Sequence, residues 1–323
     1  MTINLSPDNL IYPYFVAEGV EKREFIKSFP GQFRFSIDWL LKDIGESKRL
    51  GLNKILLFGI PVKKDPAGSE AYKTDGIIPL AIKAVKSRYP HMTVMTDVCL
   101  CAYTSHGHCR IIKRSQVTSH KSQDKITKKQ GVYIDNDETL KILAKIALAH
   151  ARAGADWVAP SAMAKGQVSA IRKALDGAGY SGTKILAYSA KFFSNFYGPF
   201  RNAADSAPKF GDRSAYQLDY GNRDPALTAI KKDIEDGADM VMVKPALSYL
   251  DVVREAKNSF SHPLAAYNVS GEYAFLKYGA DLGLWDEKKM VMEIITSIRR
   301  AGADYVITYH AKDIAKWILK EEL

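Results

Sequence analysis

The chain has 323 residues, of which 46% are hydrophobic and 25% are charged, a composition typical of a soluble globular protein. Its apolar runs are too short to cross a bilayer, and its first residues lack the basic and apolar regions of a signal peptide. The three cysteines, all within residues 99–109, cannot form a disulfide framework. We therefore expect a cytoplasmic protein with no membrane partner.

The net charge of +10 is concentrated in one segment, where a single Asp124 accompanies seven basic side chains. An excess of this kind is compatible with nucleic acid, with an anionic substrate, or with solubility alone. Aromatic residues do not alternate with the basic ones, so we predict no nucleic-acid partner and favour a solvated loop. The basic residues are Arg110, Lys113, Arg114, Lys121, Lys125, Lys128 and Lys129.

Short apolar runs ended by glycine, proline or polar residues predict eight buried strands, at 10–16, 54–59, 93–97, 156–160, 184–189, 240–244, 264–269 and 304–309. Helical segments are predicted between most of them, including 36–48, 74–87 and 137–153. Gly-Ala-Asp precedes three strands, where the glycine would end the preceding helix in a left-handed cap. This alternation predicts a single (β/α)8 TIM barrel domain over residues 1–323, with residues 110–133 as an inserted loop.

Polar residues stand at or just after the carboxyl ends of the predicted strands, and a barrel would bring them to one rim. Among them, Lys244 ends an apolar run that Pro245 stops, and Lys191 follows the preceding strand. Burial and a neighbouring ammonium group both lower a lysine pKa, and the neutral amine can form a Schiff base with a ketone. The alternative is a lysine that caps its strand and extends to water. The set is Asp97, Ser161, Lys191, Lys244, Ser270 and Tyr309.

Every cysteine of the chain follows the third predicted strand. Cys99, Cys101 and Cys109 lie close to His106 and His108, and such a cluster can close around one zinc ion. Three thiolates would leave the fourth position open, as in a catalytic zinc site. The spacing is not that of a zinc finger, and the alternative is a group of small buried thiols with incidental histidines.

Nine motifs, in one order along nearly the whole chain, resemble those of the porphobilinogen synthase (5-aminolevulinate dehydratase) family. They include DVCLCAYTSHGHC at 97–109, YSAKFFSNFYGPFR at 188–201, GDRSAYQ at 211–217, MVKP at 242–245 and VSGEY at 269–273. Shorter motifs lie at 134–140, 159–161, 249–251 and 307–309. Together they are far more specific than any one of them.

The resemblance implies a (β/α)8 barrel and a hydro-lyase (lyase) of heme and tetrapyrrole biosynthesis. This enzyme would join two molecules of 5-aminolevulinate into porphobilinogen with loss of two waters. Lys244 and Lys191 would each form a Schiff base with one substrate ketone, and Asp97 would position the substrate amine or accept a proton.

By the same resemblance, Ser270 and Tyr309 would bind the carboxylate of one substrate, held at Lys244. Arg201, Arg213 and Gln217 would bind the other carboxylate, for which the planar arginine fork is suited. Each arginine alone would more often be a surface ion pair. The resemblance also implies that a catalytic zinc (Zn2+) is held by Cys99, Cys101 and Cys109.

The sequence departs from the family pattern at several points. Residues 1–9 lack the arginine-containing arm, so we predict a homo-oligomer in which the usual octamer is in doubt and a dimer or hexamer is possible. Lys165 replaces an aspartate near the rim, and Ala229 replaces a magnesium-binding glutamate, so we expect no activating Mg2+ site. The insertion at 110–133 would be a disordered flap near the mouth, or a loop that steers an anionic substrate.

Two other functions are compatible with the sequence. A diverged paralogue would keep both lysines but condense a different amino-ketone. A non-catalytic protein would use the basic loop to bind nucleic acid or a partner, but it would have no need for the two lysines, the arginines and the three cysteines together.

Overall fold

A computed structural model describes residues 4–114 and 131–321 of the chain. Its strands are β1 (Leu10–Ala17), β2 (Arg23–Phe25), β3 (Phe33–Phe35), β4 (Lys54–Ile60), β5 (Thr93–Val98), β6 (Ile112–Arg114), β7 (Val132–Ile134), β8 (Trp157–Pro160), β9 (Lys184–Lys191), β10 (Met240–Lys244), β11 (Leu264–Asn268) and β12 (Tyr305–Thr308).

Eight of the strands in the described ranges close into a parallel barrel. Their order is β1, β4, β5, β8, β9, β10, β11 and β12. The ring closes where β12 pairs with β1, with Leu10 opposite Val306 and Ile11 opposite Ile307. The predicted (β/α)8 TIM barrel is therefore confirmed, and the eight predicted strands agree with the observed ones to within two residues.

Most of the helices cover the outside of the barrel, and the shortest one lies at its mouth. They are α1 (Ile37–Arg49), α2 (Ile77–Arg88), α3 (Asn136–Ala153), α4 (Gln167–Gly177), α5 (Gly198–Ala203), α6 (Asp224–Glu235), α7 (Leu250–Ser259), α8 (Ser270–Asp281), α9 (Glu287–Ala301) and α10 (Ala311–Glu321). Gly154 ends α3 at φ +100°, as predicted for a left-handed cap. The helix predicted from residue 74 begins instead at Ile77, because Gly76 with its extended backbone is the N-cap.

Alternation along the strands separates two layers of buried side chains. In β10, Met240 and Met242 point into the barrel, whereas Val241 and Val243 pack against the helices outside. This alternation places the next residue, Lys244, on the inner face at the carboxyl end of the strand. The sequence of β10 therefore directs its lysine into the barrel mouth.

The ends of the predicted insertion pair with each other. β6 and β7 form an antiparallel ribbon, with Ile112 opposite Ile134 and Lys113 opposite Tyr133. Residues 115–130 lie outside the described part of the chain, so the flap and the steering loop stay predictions for them. Among the described residues, no helix is both long and apolar enough to cross a membrane.

Candidate active site

An irregularity in β9 brings the two lysines to the same face of the barrel. Ala187 pairs with Val241 and Ala190 with Val243, so β9 has one residue more than β10 over this interval. A bulge of this kind reverses the inward and outward alternation beyond it. Ala190 consequently packs outside the barrel, and Lys191 lies directly opposite Lys244 in the register.

Both lysine side chains are buried and lie beside the same aromatic ring. Lys244 is 5% exposed and Lys191 6% exposed. The Nζ atoms lie 5.1 Å and 5.6 Å, respectively, from the centre of the Tyr188 ring. Lys191 also donates a hydrogen bond of 2.6 Å to the carbonyl oxygen of Ser161. The predicted convergence of the two amines is therefore present in the fold.

The surroundings of Lys244 favour its neutral form. Its Nζ lies 4.2 Å from the centre of the Tyr267 ring and 5.2 Å from those of Tyr197 and Phe200. Burial and the neighbouring Lys191 charge lower the pKa of Lys244 to about 7. Near neutral pH a substantial fraction of this amine is then unprotonated, as a nucleophile requires.

Asp97, the last inward residue before the cysteine segment, lies near both lysines. Its side chain is half-buried, and its Oδ1 atom has no hydrogen-bond partner. Burial raises the pKa of Asp97 to about 6, although Lys191 and a hydrogen bond from Ser161 act in the opposite direction. A carboxyl group that titrates in this range can exchange protons with a substrate near neutral pH.

The three cysteines form one compact, buried group. Their sulfur atoms all lie within 4.8 Å of one another, and Cys99 and Cys101 are 3.5 Å apart. Hydrogen bonds from the Cys101 and Cys99 thiols, together with the nearby Arg213 charge, hold the pKa of Cys109 well below its usual value. Contacts among the three thiols raise the pKa of Cys99 well above its usual value and that of Cys101 to about 11, so all three would ionise together only around a bound cation. Since the thiolate is the form that binds metals, the group is suited to hold a metal ion.

The two histidines beside the cysteines have structural partners. The buried ring of His108 contacts the Tyr216 hydroxyl at 3.2 Å through Nδ1 and the Phe210 carbonyl oxygen at 2.9 Å through Nε2. His106 accepts a hydrogen bond from the backbone of His108. The thiol group therefore includes neither His106 nor His108, and these two rings support the surrounding loops.

The segment that follows β9 carries the three residues predicted to bind the second carboxylate. Leu218 donates a backbone hydrogen bond of 3.0 Å to the Lys191 carbonyl oxygen, which returns the segment to the barrel rim. Arg213 is 2% exposed and donates to the carbonyl oxygens of Gly107 and Ser206 at 3.0 Å and 2.5 Å. Burial and the positive charge of Arg213 lower the pKa of Arg201.

Several buried polar atoms at this mouth have no protein partner. They belong to residues from different loops and strands of the described chain, which are Asp97 (Oδ1), Tyr188 (Oη), Arg201 (Nε), Arg213 (Nε) and Gln217 (Oε1 and Nε2). A buried polar atom without a partner costs about 1–3 kcal/mol. Such a concentration at one place fits a polar ligand that would supply the missing hydrogen bonds.

Ser270 and Tyr309 lie on the Lys244 side of the mouth. Ser270 begins α8, donates to the Phe196 carbonyl oxygen at 3.1 Å and accepts from the Phe200 amide at 3.0 Å. The Tyr309 hydroxyl accepts a hydrogen bond of 3.0 Å from Tyr267, whose ring contacts Lys244. The structure thus groups these two residues with Lys244, and the two arginines with the cysteines.

Sequence reasoning missed the aromatic side chains that surround Lys244, which are Tyr188, Tyr197, Phe200 and Tyr267. Period-two alternation could have identified Tyr267, which lies one inward position beyond Ala265 in β11. Lys165 and Ala229, the two substituted positions, line one groove of about 610 Å³ between α4 and α6. Tyr188 and Ser189, from the strand that carries Lys191, also line that groove.

Comparisons with known proteins agree over the whole chain. The profile of the family "Delta-aminolevulinic acid dehydratase" matches residues 1–317. The delta-aminolevulinic acid dehydratase of Bacillus subtilis (strain 168) is 47% identical over 314 residues, which cover 97% of this chain and 92% of the relative. The enzyme of Archaeoglobus fulgidus is also 47% identical, over 312 residues that cover 97% and 91%, respectively.

A solved structure is similar in both sequence and fold. It is the delta-aminolevulinic acid dehydratase (porphobilinogen synthase) of Toxoplasma gondii ME49 in complex with the reaction product porphobilinogen. It superimposes with a TM-score of 0.91 and 43% identity, covering 98% of this chain and 87% of that one. The chain belongs to the delta-aminolevulinic acid dehydratase family.

Proposed function

We propose that this chain is a porphobilinogen synthase, a hydro-lyase that condenses two molecules of 5-aminolevulinate into porphobilinogen with loss of two waters. The observation that carries the proposal is the pair of buried lysines, opposite each other in adjacent strands and beside one tyrosine ring. The product named in the related Toxoplasma gondii structure supports the same substrate. The family relationship makes heme and tetrapyrrole biosynthesis the corresponding pathway.

In this proposal each lysine captures one substrate ketone. The neutral Lys244 amine adds to the ketone carbon, and loss of one water gives an imine. Protonation of the imine nitrogen withdraws electrons from the adjacent carbon, whose proton can then be removed. Asp97, with its pKa raised to about 6, is placed to accept that proton or to hold a substrate amine.

Lys191 captures the second substrate in the same way. Its hydrogen bond to Ser161 fixes the amine beside the ring that Lys244 also contacts. A substrate amine can then add to one imine carbon and displace its lysine, which forms the carbon–nitrogen bond. The deprotonated carbon can add to the other imine carbon, which forms the carbon–carbon bond, and the second lysine leaves as a free amine when the ring double bond forms. Much of the rate enhancement would come from this proximity.

The two substrate carboxylates bind on opposite sides of the lysine pair. Ser270 and Tyr309 hold the one attached at Lys244. Arg201, Arg213 and Gln217 hold the other, and the partnerless atoms of these three side chains would gain hydrogen bonds from it.

Cys99, Cys101 and Cys109 hold a zinc ion in this proposal. The three thiols form a soft donor set that suits zinc, and a bound cation would offset the repulsion among three thiolates held this close. The bound ion would supply Lewis acidity toward a substrate amine or a water. Arg213 supports the site because its positive charge favours the ionised form of Cys109.

The remaining features of the proposal follow the family relationship. We infer a cytoplasmic homo-oligomer, with a dimer or hexamer as alternatives to an octamer, and no nucleic-acid or membrane partner. Ala229 offers no ligand for magnesium, so activation by Mg2+ is not expected.

The test combines product formation with trapping of the imines. The protein is incubated with 5-aminolevulinate, and porphobilinogen is measured by a colorimetric pyrrole assay. A parallel sample is reduced with borohydride, and the modified lysines are located by peptide mass mapping. We expect pyrrole formation, with substrate attached to Lys244 and Lys191.

Lys184 supplies a matched control, because it lies at the other end of β9 and is exposed. Lys191→Met should abolish pyrrole formation, whereas Lys184→Met should leave it unchanged. A protein that makes no pyrrole from 5-aminolevulinate but condenses a substituted amino-ketone would be the diverged paralogue instead. A protein that condenses neither 5-aminolevulinate nor a substituted amino-ketone, and in which no lysine is trapped, would contradict the proposal.

A further inference from the structure

A buried polar network lies behind the residues assigned to the first substrate. Its side chains are Glu272, Asn268 and Thr308, which are 1%, 0% and 0% exposed. They come from α8 and from the carboxyl ends of β11 and β12. None of them was a candidate from the sequence, and their side chains bond to one another and to the backbone.

Glu272 connects the loop after Lys244 to the start of α8. Its Oε1 atom accepts a hydrogen bond of 2.7 Å from the amide of Leu247, three residues beyond Lys244. Its Oε2 atom accepts one of 2.8 Å from the amide of Val269, the residue before Ser270. The carboxylate thereby joins the backbone that carries Lys244 to the backbone that carries Ser270.

The network continues to the strand that carries Tyr309. The Asn268 side-chain amide donates to Glu272 Oε2 at 3.4 Å, and its Oδ1 accepts from the Thr308 hydroxyl at 2.9 Å. The same hydroxyl accepts from the amide of His310 at 3.1 Å. Tyr309 thus lies between Thr308 and His310, which this hydrogen bond joins. One set of bonds therefore links the segments that follow β10, β11 and β12.

We propose that Glu272 is a positioning residue that sets the distance between the Lys244 amine and the Ser270–Tyr309 carboxylate site. This inference rests on the proposed function. The ketone of a substrate must reach the amine of Lys244 while the carboxylate of the same substrate reaches the Ser270–Tyr309 site. The two contacts are productive together only at a fixed separation, and a misplacement of about 1 Å can cost a hundredfold in rate.

Glu272→Gln tests the inference with almost no change in shape. The amide oxygen can still accept from one backbone N–H, but the NH2 group cannot accept from the other. Burial raises the pKa of Glu272 to about 7, so the ionised side chain costs folding free energy above that pH. Glutamine avoids that cost, and the variant is expected to fold.

The experiment measures borohydride trapping of 5-aminolevulinate at each lysine, together with KM and kcat for porphobilinogen formation. For Glu272→Gln we expect trapping at Lys244 to fall about tenfold or more, and trapping at Lys191 to stay within about twofold of the unsubstituted protein. A general structural defect would reduce both. Unchanged trapping at Lys244, or an equal loss at both lysines, would overturn the inference.

Glu138→Gln is the matched control, because Glu138 is likewise the third residue of its helix but pairs with Lys141 at the surface. It should leave trapping at both lysines unchanged.

If Glu272→Gln gives no folded protein, Thr308→Val decides the question. It removes the bonds to Asn268 and His310, and should raise KM about threefold while Lys191 trapping is preserved; an unchanged KM would overturn the inference.

The same experiment separates the two proposals. Absence of pyrrole and of trapped lysine in the unsubstituted protein would refute the proposed function and this inference with it. If the unsubstituted protein forms pyrrole and is trapped at both lysines, and Glu272→Gln shows the same trapping and kinetics, only the positioning role is refuted.

Discussion

Replacing Lys244 with methionine should make the protein more stable near neutral pH while abolishing its activity. Methionine has a similar length and no charge, so it fits the aromatic surroundings without the desolvation that the ammonium group suffers. The variant should make no porphobilinogen, because the nucleophile is gone. A gain in stability with a loss of function is the expected result of removing a buried catalytic charge.

The size of the effect follows from the pKa of Lys244, which falls from an ordinary value of 10.5 to about 7. A shift of that size corresponds to about 4–5 kcal/mol against folding where the unfolded lysine is protonated. Between pH 7 and 10.5 the unfolded chain binds more protons than the folded one, so stability rises with pH. The cost is therefore full below about pH 7, falls to about 2 kcal/mol near pH 9, and is lost above pH 10.5.

Urea unfolding of both proteins at pH 6.5, 7.5 and 9, at one protein concentration, measures this difference. Lys244→Met should be more stable by up to about 4 kcal/mol at the two lower pH values, and by about half of that at pH 9. Lys184→Met, at an exposed position of the neighbouring strand, should change stability by less than about 0.5 kcal/mol. A Lys244→Met variant that is less stable near pH 7, or a gap that does not shrink with pH, would refute the reasoning.

Two further predictions concern the other half of the site. Cys101→Ala leaves two of the three thiols, so we expect bound zinc, measured by elemental analysis of the purified protein, to fall from about one per chain to less than about one tenth. Zinc retained at the level of the unsubstituted protein would contradict the assignment. Arg213→Lys removes the planar fork that bonds Gly107 and Ser206, so KM should rise about tenfold or more with kcat changed less than about threefold. An unchanged KM would show that Arg213 does not bind the substrate carboxylate.

The fold could be predicted from the sequence because the alternation within strands and the glycine caps at helix ends indicate the same architecture. In β10, the alternation of methionine and valine predicts which side chains enter the barrel, and it places Lys244 correctly. Glycine caps such as Gly154 mark where helices end. These signals are local, but in a barrel the carboxyl ends of all strands lie at one rim, so the residues at those ends come together.

Contacts between segments could not be predicted in the same way. Nothing in the composition of the segment 268–272 indicates that Glu272 reaches the amide of Leu247, since that bond depends on how two loops pack. The partners of His108 are equally non-local, because Tyr216 and Phe210 lie about a hundred residues further along the chain. The histidine spacing suggested metal binding, whereas tertiary packing directs the ring of His108 to a hydroxyl and a carbonyl.

The bulge in β9 is the structural cause of the lysine pairing, which the sequence predicted without revealing how it arises. Leu186 and Tyr188 point into the barrel, so strict alternation would put Ala190 inside and Lys191 outside, against the helices. The additional residue reverses this arrangement and aligns Lys191 with Lys244. An irregularity that re-aims one side chain has a cost in strand pairing, and its occurrence at the one strand where it brings two amines together fits a functional origin. Regular alternation along β10 therefore places Lys244 in the site, whereas the irregularity in β9 places Lys191 there.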